Sequence, residues 1–262
     1  MVIRERRMHN VLSNLKRLPK EYKSNPLWSI LVELVRSMPL YGEHKSYIRE
    51  VVLMENPGIS FGELAALLRI PIGEAMVILD ELRMWREDVE EEIMESFPEP
   101  KYKLAAIGGT FNEVHYGHLI LIYTALKYGE KVLIGVTGDE FVKTLGKSHP
   151  IKPYNERIGR LRSMLSSRNW LNRCEVVMLN DPYGPTVEEP FIEVLIVSPM
   201  TYPRAIEINE IRLKKGLKPL EVIVCPLVVA DDGKPISSTR IINREIDPTG
   251  KILINKEPNN RA

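Results

Sequence analysis

Five short apolar runs, separated by stretches of helical periodicity, constrain this chain most. They are KLAAIGG (103–109), KVLIGVT (131–137), CEVVMLN (174–180), EVLIVSP (193–199) and LEVIVCPLVV (220–229). Near-continuous apolar runs of this length suit strands buried on both faces of a parallel sheet. Helical patterns cover 118–128, 154–167 and 203–215, and a last helix opens near SSTRII. Such alternation predicts an α/β fold with a doubly wound, five-stranded parallel sheet and right-handed crossovers.

Residues 1–97 follow a different pattern and are expected to be all-α. HKSYIREVVLMEN, SFGELAALLRI and PIGEAMVILDELRMWRE carry apolar residues at helical spacing, with NPGIS and RIPIG between them. Ser60 is the expected N-cap of the middle segment, with Glu63 completing a capping box. Three helices on short turns resemble a helix-turn-helix or winged-helix module. SFPEPKYK then marks a proline-bounded linker, giving a helical domain over 1–97 and an α/β domain over 98–262.

A net charge of +1 offers no global attraction to nucleic acid or an anionic membrane. The segment that would serve as a recognition helix, 71–86, bears Glu74, Asp80 and Glu81 and no base before Arg83. Phosphate would repel such a helix, so the module is expected to mediate self-association or bind a protein rather than DNA. No apolar stretch approaches a membrane span, and no apolar signal core follows the N-terminal arginines. Cys174 and Cys225 lie in strand-like runs as reduced thiols, so a cytoplasmic location is expected.

The chemistry concentrates in GGTFNEVHYGH, residues 108–118, on the turn between the first strand and its helix. In an open α/β sheet that turn binds ligands, because the helix start offers free N–H groups and a positive dipole end. Gly108 and Gly109 allow close approach to the backbone, and Thr110 adds a hydroxyl. His115 and His118, three apart, share a face of the first turn, while Gly117 leaves space between them. No cysteine or carboxylate cluster accompanies the histidines at metal-ligand spacing, and none is assigned to a metal. The set suits a triphosphate attacked at its α-phosphorus, where N–H groups neutralise the developing charge.

GGTFNEVHYGH resembles the T-x-x-x-x-H-x-G-H signature of the nucleotidylyltransferase superfamily, whose fold is Rossmann-like, and ISSTRI (236–241) resembles its second motif. DPYGPT (181–186), VSPMTYP (197–203), INEIR (208–212) and GLKPLEVIVCPLVVADDGKPISSTRI are similar to the archaeal and eukaryotic type of phosphopantetheine adenylyltransferase. The similarity spans roughly residues 102–250. It implies transfer of AMP from ATP to 4′-phosphopantetheine with Mg²⁺ and no covalent enzyme intermediate. His118 would stabilise the transition state, His115 would contact the phosphates, and Thr110 would orient the attacking phosphate. Gly108, Gly109, Phe111 and Gly117 would line the nucleotide, and Ser237, Ser238, Thr239 and Arg240 would hold its β- and γ-phosphates. Lys147, with Lys143 and Lys152 as rivals, would bind the incoming phosphate. Arg157 and Asn209 are further ligand candidates, and Asp181 either lines the pantetheine side or forms a turn. Asn112 departs from the aspartate usual after GTF, which puts a magnesium or substrate role there in question. Alternatives are another nucleotidylyltransferase, acting on nicotinamide mononucleotide or a cytidylyl acceptor, or a ligand-sensing DNA-binding regulator.

Overall fold

The computed structural model describes residues 15–94, 97–146 and 149–253. The chain divides into two compact units. One runs to Met84 and takes in Asp232–Pro235; the other comprises Trp85–Asp231 and the chain from Ile236 on.

In the first unit, helix α1 spans Pro26–Arg36, capped by the Asn25 side chain accepting from Leu27 N–H. Helix α2 spans Tyr41–Tyr47 and continues through a π-helical turn, Ile48–Val52, into Leu53–Glu55. Helix α3, Phe61–Leu68, carries the expected capping box of Ser60 and Glu63 and ends on Arg69 in the left-handed region. Helix α4, Ile72–Leu82, follows after a short turn. Ile48, Leu53, Phe61, Leu64, Ile78 and Leu79 form the core.

The sequence periodicity had missed α1, and it carried the last helix on to residue 87. The structure ends α4 at Leu82 and places a short strand, Arg83–Trp85, in a segment expected to be wholly helical. Arg83 there is extended, and its guanidinium donates to Ile59 O. The acids of α4 are paired within the unit: Glu74 with His44, Asp80 with Lys23, and Glu81 with Arg36 and Lys45. Five residues of α4 (Ala75, Met76, Ile78, Leu79 and Leu82) lie in the core. The helix is therefore neither an exposed acidic surface nor an exposed reading surface.

The second unit opens with helix α5, Val89–Met94. Its buried Val89 and Ile93, together with ion pairs Glu92–Lys127 and Glu90–Arg168, join it to the α/β body. The observed division thus falls before this helix rather than at the proline-bounded linker.

Strands β1 (Tyr102–Gly109), β2 (Gly129–Thr137), β3 (Cys174–Leu179), β4 (Val194–Val197) and β5 (Glu221–Val224) form one parallel sheet in the order β3-β2-β1-β4-β5. The last apolar run does not continue as a single strand. Pro226 supplies no N–H to a ladder, and a separate strand, Leu227–Val229, follows it. Strand order reverses between β1 and β4, the position at which open α/β sheets bind ligands.

Helix α6 (Tyr116–Tyr128) connects β1 to β2. Gly129 ends it with extended backbone, not the left-handed turn common at helix ends, and begins β2 at once. A Cβ at Gly129 would lie 2.6 Å from that of Ala105, so the glycine serves strand approach. Helices α7 (Asp139–Thr144), α8 (Tyr154–Ser167), α9 (Tyr202–Lys214) and α10 (Ser238–Ile242) complete the unit.

Candidate functional site

The site lies at the carboxyl ends of β1 to β4 and has two sides that meet at Thr110. On one side is a cavity of about 360 Å³, lined by Gly108, Gly109, Thr110, Thr137, Leu179 and Val197 at the strand ends. Phe141, Tyr183, Pro185, Met200, Ala205 and Ile208 complete its apolar walls. Asp181 holds the turn that carries Tyr183 and Pro185 into this wall. Its Oδ1 accepts from Tyr183 N–H and Gly184 N–H at 2.8 and 2.7 Å, which is the turn-forming role.

On the other side is the histidine pair. Phe111 is buried with φ +51°, a left-handed conformation costing about 1–3 kcal/mol for a bulky residue. Its ring lies beneath His118 at 4.7 Å between centroids, and the His118 ring stacks on His115 at 3.9 Å. His115 caps α6, its Nδ1 accepting from Gly117 N–H at 3.1 Å. In the neutral ring this places the proton on Nε2 and makes that atom a donor. A Cβ at Gly117 would press on the His115 ring at 3.0 Å. His118 Nδ1 is buried with no hydrogen-bond partner. Burial lowers the His118 pKa to about 4, against a smaller opposing contribution from the Glu113 backbone. Burial, helped by the His118 charge, likewise holds His115 well below the usual histidine range. Both imidazoles are therefore neutral near pH 7 and act as N–H donors, not cations.

The second motif meets the first through Glu113. Ser238 Oγ accepts from Glu113 N–H at 3.3 Å and donates to Glu113 O at 3.4 Å. Ser237 caps α10, accepting from Arg240 N–H at 3.4 Å, and Thr239 follows in its first turn. Arg240 Nε pairs with Glu245 at 3.0 Å.

Arg157 is wholly buried, with its donors engaged inside the protein. Nε donates to Lys152 O at 2.8 Å, NH1 to Thr110 O at 2.8 Å, and NH2 to Thr137 O at 2.7 Å and Asp139 at 2.9 Å. The guanidinium binds together the ends of β1 and β2 and the loop before α8. Asn209 is similarly engaged, donating to Leu220 O and accepting from Leu220 N–H, which fixes the entry to β5. Asn112 uses both ends of its amide: Nδ2 donates to Pro150 O at 3.0 Å, and Oδ1 accepts from Lys152 N–H at 2.7 Å. A carboxylate could not make the first of these bonds.

Of the three lysines weighed, Lys147 lies outside the described residues. Lys143 is exposed and pairs with Glu140. Lys152 is held beside the motif loop, with its ammonium on Glu113. Periodicity gave no sign of the left-handed Phe111 or of Glu113 bridging Lys152 and Arg160. Both depend on contacts between segments distant in sequence.

Residues 106–244 match the cytidylyltransferase-like family. The chain is 41% identical over 144 residues to a phosphopantetheine adenylyltransferase of Methanopyrus kandleri, covering 55% of this chain and 91% of that protein. It is 45% identical over 153 residues to the Methanothermobacter thermautotrophicus phosphopantetheine adenylyltransferase, covering 58% and 91%. To that of Methanosarcina acetivorans it is 47% identical over 150 residues, covering 56% and 94%.

Proposed function

The chain belongs to the cytidylyltransferase-like family, among its phosphopantetheine adenylyltransferases, and from that membership we propose its reaction and its residue roles. A phosphate oxygen of 4′-phosphopantetheine attacks the α-phosphorus of ATP. The bond to the β-phosphate oxygen breaks, pyrophosphate leaves and dephospho-CoA forms. Because the acceptor attacks directly, the protein's work is positioning and charge stabilisation.

The observation carrying this reading is the placement of Thr110. It lines the apolar cavity and, through the adjoining Phe111, borders the stacked histidines. The pantetheine arm fills the cavity, so its phosphate emerges at the Thr110 hydroxyl beside the imidazole donors. Neutral His118 and His115 stabilise charge on the α-phosphate with N–H groups, as oxyanion-type donors do. Gly108, Gly109 and Gly117 let the nucleotide approach the backbone. Ser237, Ser238, Thr239 and Arg240 receive the β- and γ-phosphates, and Lys152 receives the acceptor phosphate. Arg157 and Asn209 are positioning residues.

Among the described residues no group of three or more His, Cys, Asp or Glu side chains could hold a metal ion, and the amide of Asn112 is engaged on backbone. Mg²⁺, which the family reading implies, would enter with the triphosphate as part of the substrate, and no step is assigned to a protein-held ion. Helices α3 and α4 form a helix-turn-helix-like pair; the core position of α4 speaks against DNA reading by that helix, and self-association or protein binding through other faces of the unit is the role proposed for it. A cytoplasmic setting fits the two free thiols, which burial pushes up to about 11 and about 12.

The test is incubation of the pure protein with ATP, Mg²⁺ and 4′-phosphopantetheine. Dephospho-CoA and pyrophosphate in equal amounts are expected, and their absence would refute the reaction.

A further inference from the structure

Glu113 is a carboxylate set in the middle of an anion-binding loop. Its two oxygens are divided between two cations: Oε1 accepts from the Lys152 ammonium, and Oε2 from Arg160 NH1 at 3.1 Å. The carboxylate is half-buried, and so is Lys152. The backbones on both sides of the pair are held in place. Ser238 Oγ bonds both the N–H and the C=O of Glu113. Asn112 holds the N–H of Lys152, and Arg157 holds its C=O. The Arg157 guanidinium that bonds Lys152 O also bonds Thr110 O, so Lys152 is anchored next to the mouth of the cavity. Exchange at the pair therefore needs side-chain rotations of Glu113, Lys152 and Arg160 and no backbone movement.

We propose that Glu113 is a carboxylate placeholder, occupying Lys152 and Arg160 until the acceptor's phosphate displaces it. The inference rests on the adenylyltransferase reading and on Lys152 as the phosphate lysine. A carboxylate presents two anionic oxygens to the same donors that take two oxygens of a phosphate. While the site is empty, Glu113 keeps the half-buried Lys152 from standing unpaired; the more exposed Arg160 also pairs with Glu156 at 3.0 Å. An acceptor must then carry enough charge to win both cations from Glu113, so the placeholder favours the phosphorylated acceptor over the unphosphorylated one.

Titration calorimetry with 4′-phosphopantetheine on the full chain tests this in the wild type, E113Q, K152M and the double variant. E113Q is expected to tighten acceptor binding about three- to tenfold, the range set by removing one competing ion-pair partner. K152M should weaken binding, and adding E113Q to K152M should tighten it by clearly less than E113Q does alone, since only Arg160 is then released. ATP affinity should change less than acceptor affinity. Weaker acceptor binding by E113Q, or the same tightening in the K152M background, would overturn the placeholder. If E113Q fails to fold, E113D gives the same reading: its shorter carboxylate retreats from Lys152 with charge retained, and acceptor binding should still tighten. Unchanged or weaker binding by E113D would count against the proposal. Wild-type turnover is measured alongside. Without turnover the functional reading falls, whereas turnover with unaltered E113Q affinity removes the placeholder alone.

Discussion

Arg157 and Arg212 are both buried, and both donate to three backbone carbonyls (Arg157 also to the Asp139 carboxylate), yet they tie together different parts of the site. Arg157 joins Thr110, Thr137 and Lys152, the segments to which the proposed reaction assigns phosphate handling. Arg212 donates to Thr186 O, Glu189 O and Lys218 O, bracing the loop that walls the apolar cavity and the turn after α9. Burial lowers the Arg212 pKa, but a guanidinium remains charged at neutral pH in any case. The comparison separates a phosphate side from an acceptor-arm side that share Thr110. A charged residue inside a sequence motif can be a staple, and its function is then read from the segments it joins.

The largest expected effect lies on the phosphate side. His118→Ala should lower kcat by on the order of 10²–10³, the loss typical of one preorganised oxyanion-type donor. Near-normal kcat in a folded variant would remove His118 from the chemistry. Next comes the contrast of the two staples. Arg157→Lys leaves three carbonyls to one short ammonium, and kcat/KM should fall by about 10²-fold as the strand ends shift. Arg212→Lys should act chiefly on KM for the acceptor, with kcat within about threefold. Equal kcat losses in steady-state assays of the pair would erase the distinction between the two sides.

Arg240→Ala should weaken ATP about tenfold and the acceptor much less, a split that separate calorimetric titrations would reveal. Removal of the helical unit should have a smaller effect. A chain beginning at Trp85 keeps α5 on the α/β body and should retain activity within about tenfold. One beginning at Lys101 loses the buried Val89 and Ile93 and should melt at a lower temperature.

The smallest effect concerns pH. The folded His118 pKa is about 4 against an ordinary value of 6.5. The unfolded chain therefore takes up its proton first, and stability should fall as pH drops from 6.5 toward 4. In His118→Asn the Tm should decline less steeply across that window, and an identical slope would contradict the neutral, buried imidazole.

Strand and helix alternation made the parallel sheet legible, because strands buried on both faces must be continuously apolar. GGTFNEVHYGH made the histidine pair legible, since spacing alone puts His115 and His118 on one helical face. The functions of Arg157 and Asn209 were not legible in the same way. An arginine in YNER or an asparagine in INEIR gives no sign that carbonyls far along the chain will occupy it. Asn112 shows the same limit: the sequence registered a lost charge, and the structure supplied the loop lock that the amide makes. Helix α1 was legible and was missed: Asn25 and Pro26 are ordinary start signals, and its apolar residues share one broad face opposite Ser29, Glu33 and Arg36.

The central claim is that the cavity and the histidine pair together select phosphopantetheine as the acceptor of AMP. The most direct measurement compares kcat/KM for 4′-phosphopantetheine with ATP against nicotinamide mononucleotide with ATP and a phosphorylated alcohol with CTP. The account predicts turnover with phosphopantetheine at least about 10²-fold above either competitor, the discrimination a shaped apolar pocket can provide. Comparable or faster turnover of nicotinamide mononucleotide or of the cytidylyl acceptor would contradict it.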